Sequence, residues 1–103
     1  MHIVIYRWRL KVEGEAIFRE GWREMTTAIY QLKGSLGSRL YQADDGTWVA
    51  TAHWPSREAW EESRRLGSAS ESARQKMLAG IEQFLSEEHL EVVEDLCQAF
   101  PYI

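Results

Sequence analysis

Two alternating segments, residues 37–43 and 47–54, are separated only by Asp44, Asp45 and Gly46. An Asp-Gly pair between two period-two runs is a strong hairpin signal, because glycine enters the left-handed backbone of such a loop without a Cβ penalty. The chain therefore has to build an antiparallel sheet. Its other segments can then be read for how they extend and cover that sheet. Residues 3–12 alternate Val4, Tyr6, Trp8, Leu10 and Val12 with Ile3, Ile5, Arg7, Arg9 and Lys11, which predicts a strand with one wholly apolar face and one that turns basic.

Around Glu13, Gly14 and Glu15 the period changes to that of a helix. Phe18, Trp22, Met25, Ile29 and Leu32 form its apolar stripe, acids occupy its first turn, and Gly34 is its expected stop. After the hairpin, Pro55 ends the third strand and Ser56 caps a short helix through Trp60. A further helix is expected from Ser68, where Ser68 and Glu71 have capping-box spacing and Ala73, Met77, Ile81 and Phe84 share a face. Residues 90–97, with Leu90, Val92, Val93 and Leu96, are expected to form the last strand. The order βαββααβ leads to an α+β, ferredoxin-like domain spanning residues 1–103. Its four-stranded antiparallel sheet carries the helices on one face.

Composition removes several functions. One cysteine, Cys97, excludes a disulfide framework, a cysteine-rich zinc site and an iron–sulfur cluster, and the scattered His2, His53 and His89 have no metal-ligand spacing. No metal or cofactor is therefore expected. Seven Lys and Arg against six Asp and Glu leave residues 1–53 at +1, whereas five against ten leave residues 54–103 at −5. That balance argues against nucleic acid and against an anionic membrane, and a cytoplasmic location is the default. An RNA-recognition domain shares the element order, but it needs a basic residue before the glycine of the third strand, where Asp45 stands.

The two faces of the sheet are expected to differ. Ile3, Ile5, Tyr41, Val49 and Val93 fall on the uncovered face among Arg7, Arg9, Arg39, Thr51, His53, Glu91 and Asp95. Such a mixed surface suits a homodimer in which two sheets pack and charged pairs line the contact. The covered face receives Tyr6, Trp8, Trp48 and Trp54, with Trp22 from the first helix and Trp60 from the next. All five tryptophans of the chain thus converge on one layer.

The run from Gly46 to Trp60, GTWVATAHWPSREAW, together with the turn at Gly34, Leu36 and Gly37, resembles the signature of the antibiotic biosynthesis monooxygenase family. The resemblance implies a dimeric α+β barrel with a pocket in each protomer between sheet and helices. Members that resemble the cofactor-free oxygenases of aromatic polyketide synthesis carry an asparagine four residues before the strand-end tryptophan, an aromatic six after it and an arginine twenty after it. Here the tryptophan is Trp54, the aromatic is Trp60 in place of the usual tyrosine, the arginine is Arg74, and the asparagine position is Ala50. The chain contains no asparagine at all. An amide there would hold and polarise a phenolate or quinone oxygen, which Ala50 cannot do. The haem-degrading branch of the family meets the same obstacle, since its tryptophan and histidine positions fall near Ser63 and Ala73.

Tyr6, Trp22, Trp54, Trp60 and Arg74 are thus the candidate substrate-binding residues for a planar aromatic molecule, with no catalytic residue assigned. Ala50 and Ala52, two small residues between two tryptophans, leave room for such a slot, whereas aromatics facing a helix ordinarily just pack. Arg74 in a first helical turn is ordinarily solvated; turned inward, its guanidinium could hold a carboxylate or enolate. His53 belongs to the dimer side, Cys97 has an acidic neighbour that disfavours a thiolate, and His2 and His89 carry no partner signal. No side chain on the pocket side reads as a general base. Two functions therefore compete: a cofactor-independent monooxygenase for a quinol-like substrate, and a non-catalytic dimeric binding or accessory protein of the same fold.

Overall fold

A computed structural model describes residues 1–97 and forms seven elements. They are β1 (His2–Leu10), α1 (Glu15–Leu32), β2 (Gly37–Gln42), β3 (Trp48–Trp54), α2 (Arg57–Arg65), α3 (Glu71–Gly80) and β4 (Ile81–Glu91). All strand pairs are antiparallel and the sheet order is β2-β3-β1-β4, the ferredoxin-like arrangement. The hairpin closes through a turn in which the Gly46 amide donates to the Ala43 carbonyl at 2.9 Å, with Gly46 at φ +90°. Asp45 Oδ1 accepts from the Thr47 amide, and this bond holds its carboxyl below the usual range.

Strand parity follows the sequence where the alternation is clean. Tyr6 lies opposite Ala50 and Trp8 opposite Trp48, so these side chains share the helix-covered face. Trp8, Phe18 and Ala50 are the buried centre, with Trp22, Trp48, Met77 and Ile81 packed around them. Phe18 meets Trp8 edge to face at a centroid distance of 5.1 Å.

The C-terminal third departs from expectation. Helix α3 is capped by Ser70, whose side chain accepts from the Ala73 amide, and not by Ser68; α2 continues past Trp60 to Arg65. The last strand begins at Ile81, not at Leu90, so Ile81 and Phe84 are strand residues. Val92–Cys97 lie beyond the strand. Two register shifts, between Arg7/Trp8 and between Arg9/Leu10, explain why β4 lacks a period of two. Glu91 consequently pairs with His2 on the helix side, and Val93 and Asp95 are not part of the sheet. Leu90, Glu88 and Ser86 take their places on the open face. Arg7 there forms an ion pair with Glu88 at 2.9 Å.

Glycines set the spacing between α1 and α3. A Cβ on Gly21 would lie 2.8 Å from the Ala73 carbonyl oxygen and the Met77 amide nitrogen, and one on Gly80 would lie 2.5 Å from the Gly14 carbonyl oxygen. Glycine within a helix ordinarily costs about 1 kcal/mol relative to alanine, so Gly21→Ala would stabilise α1 in isolation. In the folded chain the overlap wins. Gly21→Ala and Gly80→Ala are each expected to destabilise the protein by about 1–3 kcal/mol in urea unfolding, against a near-neutral exposed control such as Ser72→Ala.

Candidate functional site

A cavity of about 620 Å³ opens between the sheet and the helices. Ala50 and Ala52 make its floor, because two short side chains in mid-strand leave space that larger residues would fill. Trp8, Trp22 and Trp54 supply aromatic wall, and Met25, Ile29 and Met77 supply flexible apolar wall. The volume suits a small planar molecule, and the composition matches that of small-molecule sites, apolar with few placed polar groups.

The structure distributes the sequence candidates unevenly. Tyr6, Trp22, Trp54 and Arg74 line the cavity. Trp60 stands behind the wall, where its indole Nε1–H points to the Tyr6 hydroxyl at 3.4 Å and the Arg64 guanidinium lies 5.7 Å from its ring centroid. Arg74 is half exposed and paired with Glu71 at 3.3 Å, so it belongs to the rim. Lys33 and Arg64 add two further cations to the lining. Lys33 Nζ donates to the carbonyls of Ser63 and Gly67 and thereby ties the end of α1 to the loop between α2 and α3.

Two polar groups stand out in the wall. Trp54 is 3% exposed and its Nε1–H has no acceptor among the described residues, a buried donor that costs about 1–3 kcal/mol while unsatisfied. Tyr6 is the other. Burial raises its phenol above the ordinary 10.0, with Glu87 adding to the rise and Trp60 and Arg64 opposing it.

Sequence reasoning missed the acidic and imidazole groups. Glu87 lines the cavity and contacts His89 at 2.8 Å, and His89 in turn contacts the buried His2 at 2.9 Å. The only available signal was the i, i+2 spacing of Glu87, His89 and Glu91, which becomes meaningful once β4 starts at Ile81. These groups touch in a line and do not converge on a point. Among the described residues no group of three or more His, Cys, Asp or Glu side chains is placed to hold a metal ion.

The Tyr6 environment has a pH consequence. Because its folded-state value is raised, its contribution to stability is complete below pH ~10 and is lost as pH rises through the raised value. Ultraviolet titration should show one tyrosine ionising later than the others. Tyr6→Phe should remove that late step and flatten the loss of stability at alkaline pH; an unchanged titration would contradict the buried placement.

The antibiotic biosynthesis monooxygenase family profile matches residues 1–75. Solved structures agree over nearly the whole chain. Rv0793 from Mycobacterium tuberculosis is 20% identical with a TM-score of 0.71, over 93% of this chain and 98% of its own. SnoaB from Streptomyces nogalater, a cofactor-independent oxygenase, is 14% identical with a TM-score of 0.71, over 94% and 97%. A Bordetella bronchiseptica structure assigned to antibiotic biosynthesis monooxygenases is 14% identical with a TM-score of 0.76, over 90% and 97%. No functionally curated protein matches the chain in sequence. At such identities the structures speak for the fold, whereas the profile covers most of the chain, and this protein belongs to the antibiotic biosynthesis monooxygenase family.

Proposed function

We propose that this protein is a cofactor-independent monooxygenase for a planar aromatic or quinol-like small molecule. The observation that carries this reading is the cavity of about 620 Å³ with its tryptophan walls and alanine floor, in a chain of this family. A flat ring would lie against Trp54 and Trp22. Deprotonation of the substrate gives an enolate or carbanion that passes one electron to O2. Recombination of the substrate radical with superoxide forms a hydroperoxide, and loss of water converts the original CH2 to a carbonyl. Lys33, Arg64 and Arg74 supply positive charge to stabilise the anionic form.

A second reading is favoured by one specific observation. Ala50 occupies the position at which the resembling oxygenases carry an asparagine, so the pocket of this chain has no amide opposite Tyr6. A dimeric binding protein would need none. Oxygen uptake with anthrone or a naphthacenone, each carrying a ring CH2 that would become a quinone carbonyl, separates the two. Catalysis above the uncatalysed rate, reduced at least roughly tenfold by Trp54→Ala, is expected of the oxygenase. Quenching of tryptophan fluorescence by the same compounds without turnover would establish binding alone, and equal rates for wild type and variant would sink the oxygenase.

The open sheet face is our proposed homodimer surface. It carries Ile3, Ile5 and Val49 with Arg39, Thr51 and His53. Burial holds His53 below its ordinary 6.5, and Arg39 adds to the effect. Acidification below the ordinary histidine range therefore places a charge beside Arg39 on this face. The dimer is expected to weaken as pH falls below ~6.5, by sedimentation analysis, and His53→Gln should remove most of that dependence. A monomer at neutral pH would overturn the assignment.

A further inference from the structure

Four titratable side chains form a continuous line from the cavity to the sheet edge. His89 Nε2 lies 2.8 Å from Glu87 Oε2, His89 Nδ1 lies 2.9 Å from His2 Nε2, and His2 Nδ1 lies 3.4 Å from Glu91 Oε2. The two imidazoles stack at a centroid distance of 5.1 Å, and Trp60 covers His89 edge on at 4.4 Å. His2 is 2% exposed, whereas the Glu91 side chain at the far end is 62% exposed. Glu87 at the near end is part of the cavity wall.

Ring protons decide how this line behaves. Carboxylates only accept, so His89 Nε2 and His2 Nδ1 must both carry hydrogen, and the contact between the rings needs a third. Two neutral imidazoles hold only two. All three contacts are therefore made only when the pair carries one additional proton. With two ring protons, one contact sets acceptor against acceptor and opens. The charged and titratable groups around the pair are Glu87 and Glu91 from β4, the Met1 amino group 3.6 Å from Glu91, Tyr6 opposite Glu87 on β1, and Arg64 across Trp60 on α2.

We infer that this line is a proton conduit for an acidic hydroxyl bound in the cavity, with Glu87 as the group that takes the proton. The ligand O–H bond breaks and its electron pair stays on oxygen as a phenolate or enolate. The proton forms a new O–H bond on Glu87 and passes to His89 Nε2, which restores the third ring proton. The third ring proton is held while the anion stays bound, and when the anion has reacted or left, His2 releases a proton through Glu91 to solvent. No oxidant or reductant enters this step. Glu87 touches the ligand, while His89 and His2 are positioning residues that reload it. This assignment rests on the cavity being a site for planar hydroxyarenes, and it supplies the base that the oxygenase chemistry requires.

The test uses the whole chain with labelled histidine nitrogens and two probes, 2-naphthol and its methyl ether 2-methoxynaphthalene. At a pH where the pair has lost its third proton, 2-naphthol is expected to quench tryptophan fluorescence and show the naphtholate band. It should also move both His2 and His89 ring-nitrogen resonances to their three-proton positions. The methyl ether should quench and leave the imidazoles where they were. Glu87→Gln, at a side chain 30% exposed, should bind 2-naphthol in its neutral form and lose the histidine shift entirely. Quenching by 2-naphthol with unmoved histidine resonances, or a Glu87→Gln variant that behaves as wild type, overturns the conduit and leaves the cavity reading intact. Failure of both probes to quench defeats the cavity reading and the conduit with it.

Discussion

The close approach of α1 to α3 is the contact on which the remaining geometry depends. Gly14, Gly21 and Gly80 let the two helices meet with backbone against backbone, at distances a single methyl group would violate. With α1 held there, its first half presses Phe18 into the Trp8 and Ala50 cluster. Its second half, from Trp22 to Lys33, runs over the short side chains of β3 and stands clear of the sheet. One end of the interlayer space is thus closed by packing and the other is left open. The cavity follows from where the glycines are as much as from where the alanines are.

The electrostatics follow the same division. Aromatic and apolar groups make up most of the exposed cavity wall. Its polar side chains are the Tyr6 hydroxyl, the Glu87 carboxylate, the cations Lys33, Arg64 and Arg74, and the hydroxyls of Thr26, Ser35, Ser38, Ser63 and Ser68. In such surroundings a charge is poorly screened, and small displacements of a proton change the energy of a bound anion appreciably. The Tyr6 phenol, already held above its ordinary range by burial, registers this environment directly.

Much of this was legible in the chain, and what was not has an identifiable cause. The hairpin, β1 and α1 carry clean periods of two and 3.6, and they place Tyr6, Trp22 and Trp54 on the wall. Trp60 reads as a helix-side residue, and there it supports Tyr6 from behind. The C-terminal third misleads because Ala73, Met77, Ile81 and Phe84 continue a helical spacing across a boundary that the Gly14 contact with Gly80 imposes. Local pattern gives no sign of a contact made with a residue far away in sequence. Since Glu87 and His89 acquire their positions only through the register of β4, the groups with acid–base capacity stayed hidden along with the strand.

The two bulges in β4 have an evolutionary meaning beyond the bend they introduce. Each skips one residue, so Ile81, Phe84 and the Glu87, His89, Glu91 set face the helices although they obey no common parity. The apolar end of the strand, which completes the core, is thereby uncoupled from its titratable end. Loss of Leu85, the residue that one bulge leaves unpaired, would restore alternation there with both faces unchanged, whereas loss of Ser86 with the bulge kept exchanges the two faces beyond it, sending Glu88 and Leu90 toward the helices and the carboxylate–imidazole line toward the opposite surface. Relatives with the same fold can therefore gain or lose acid–base chemistry through a single-residue insertion or deletion, with the aromatic walls unchanged.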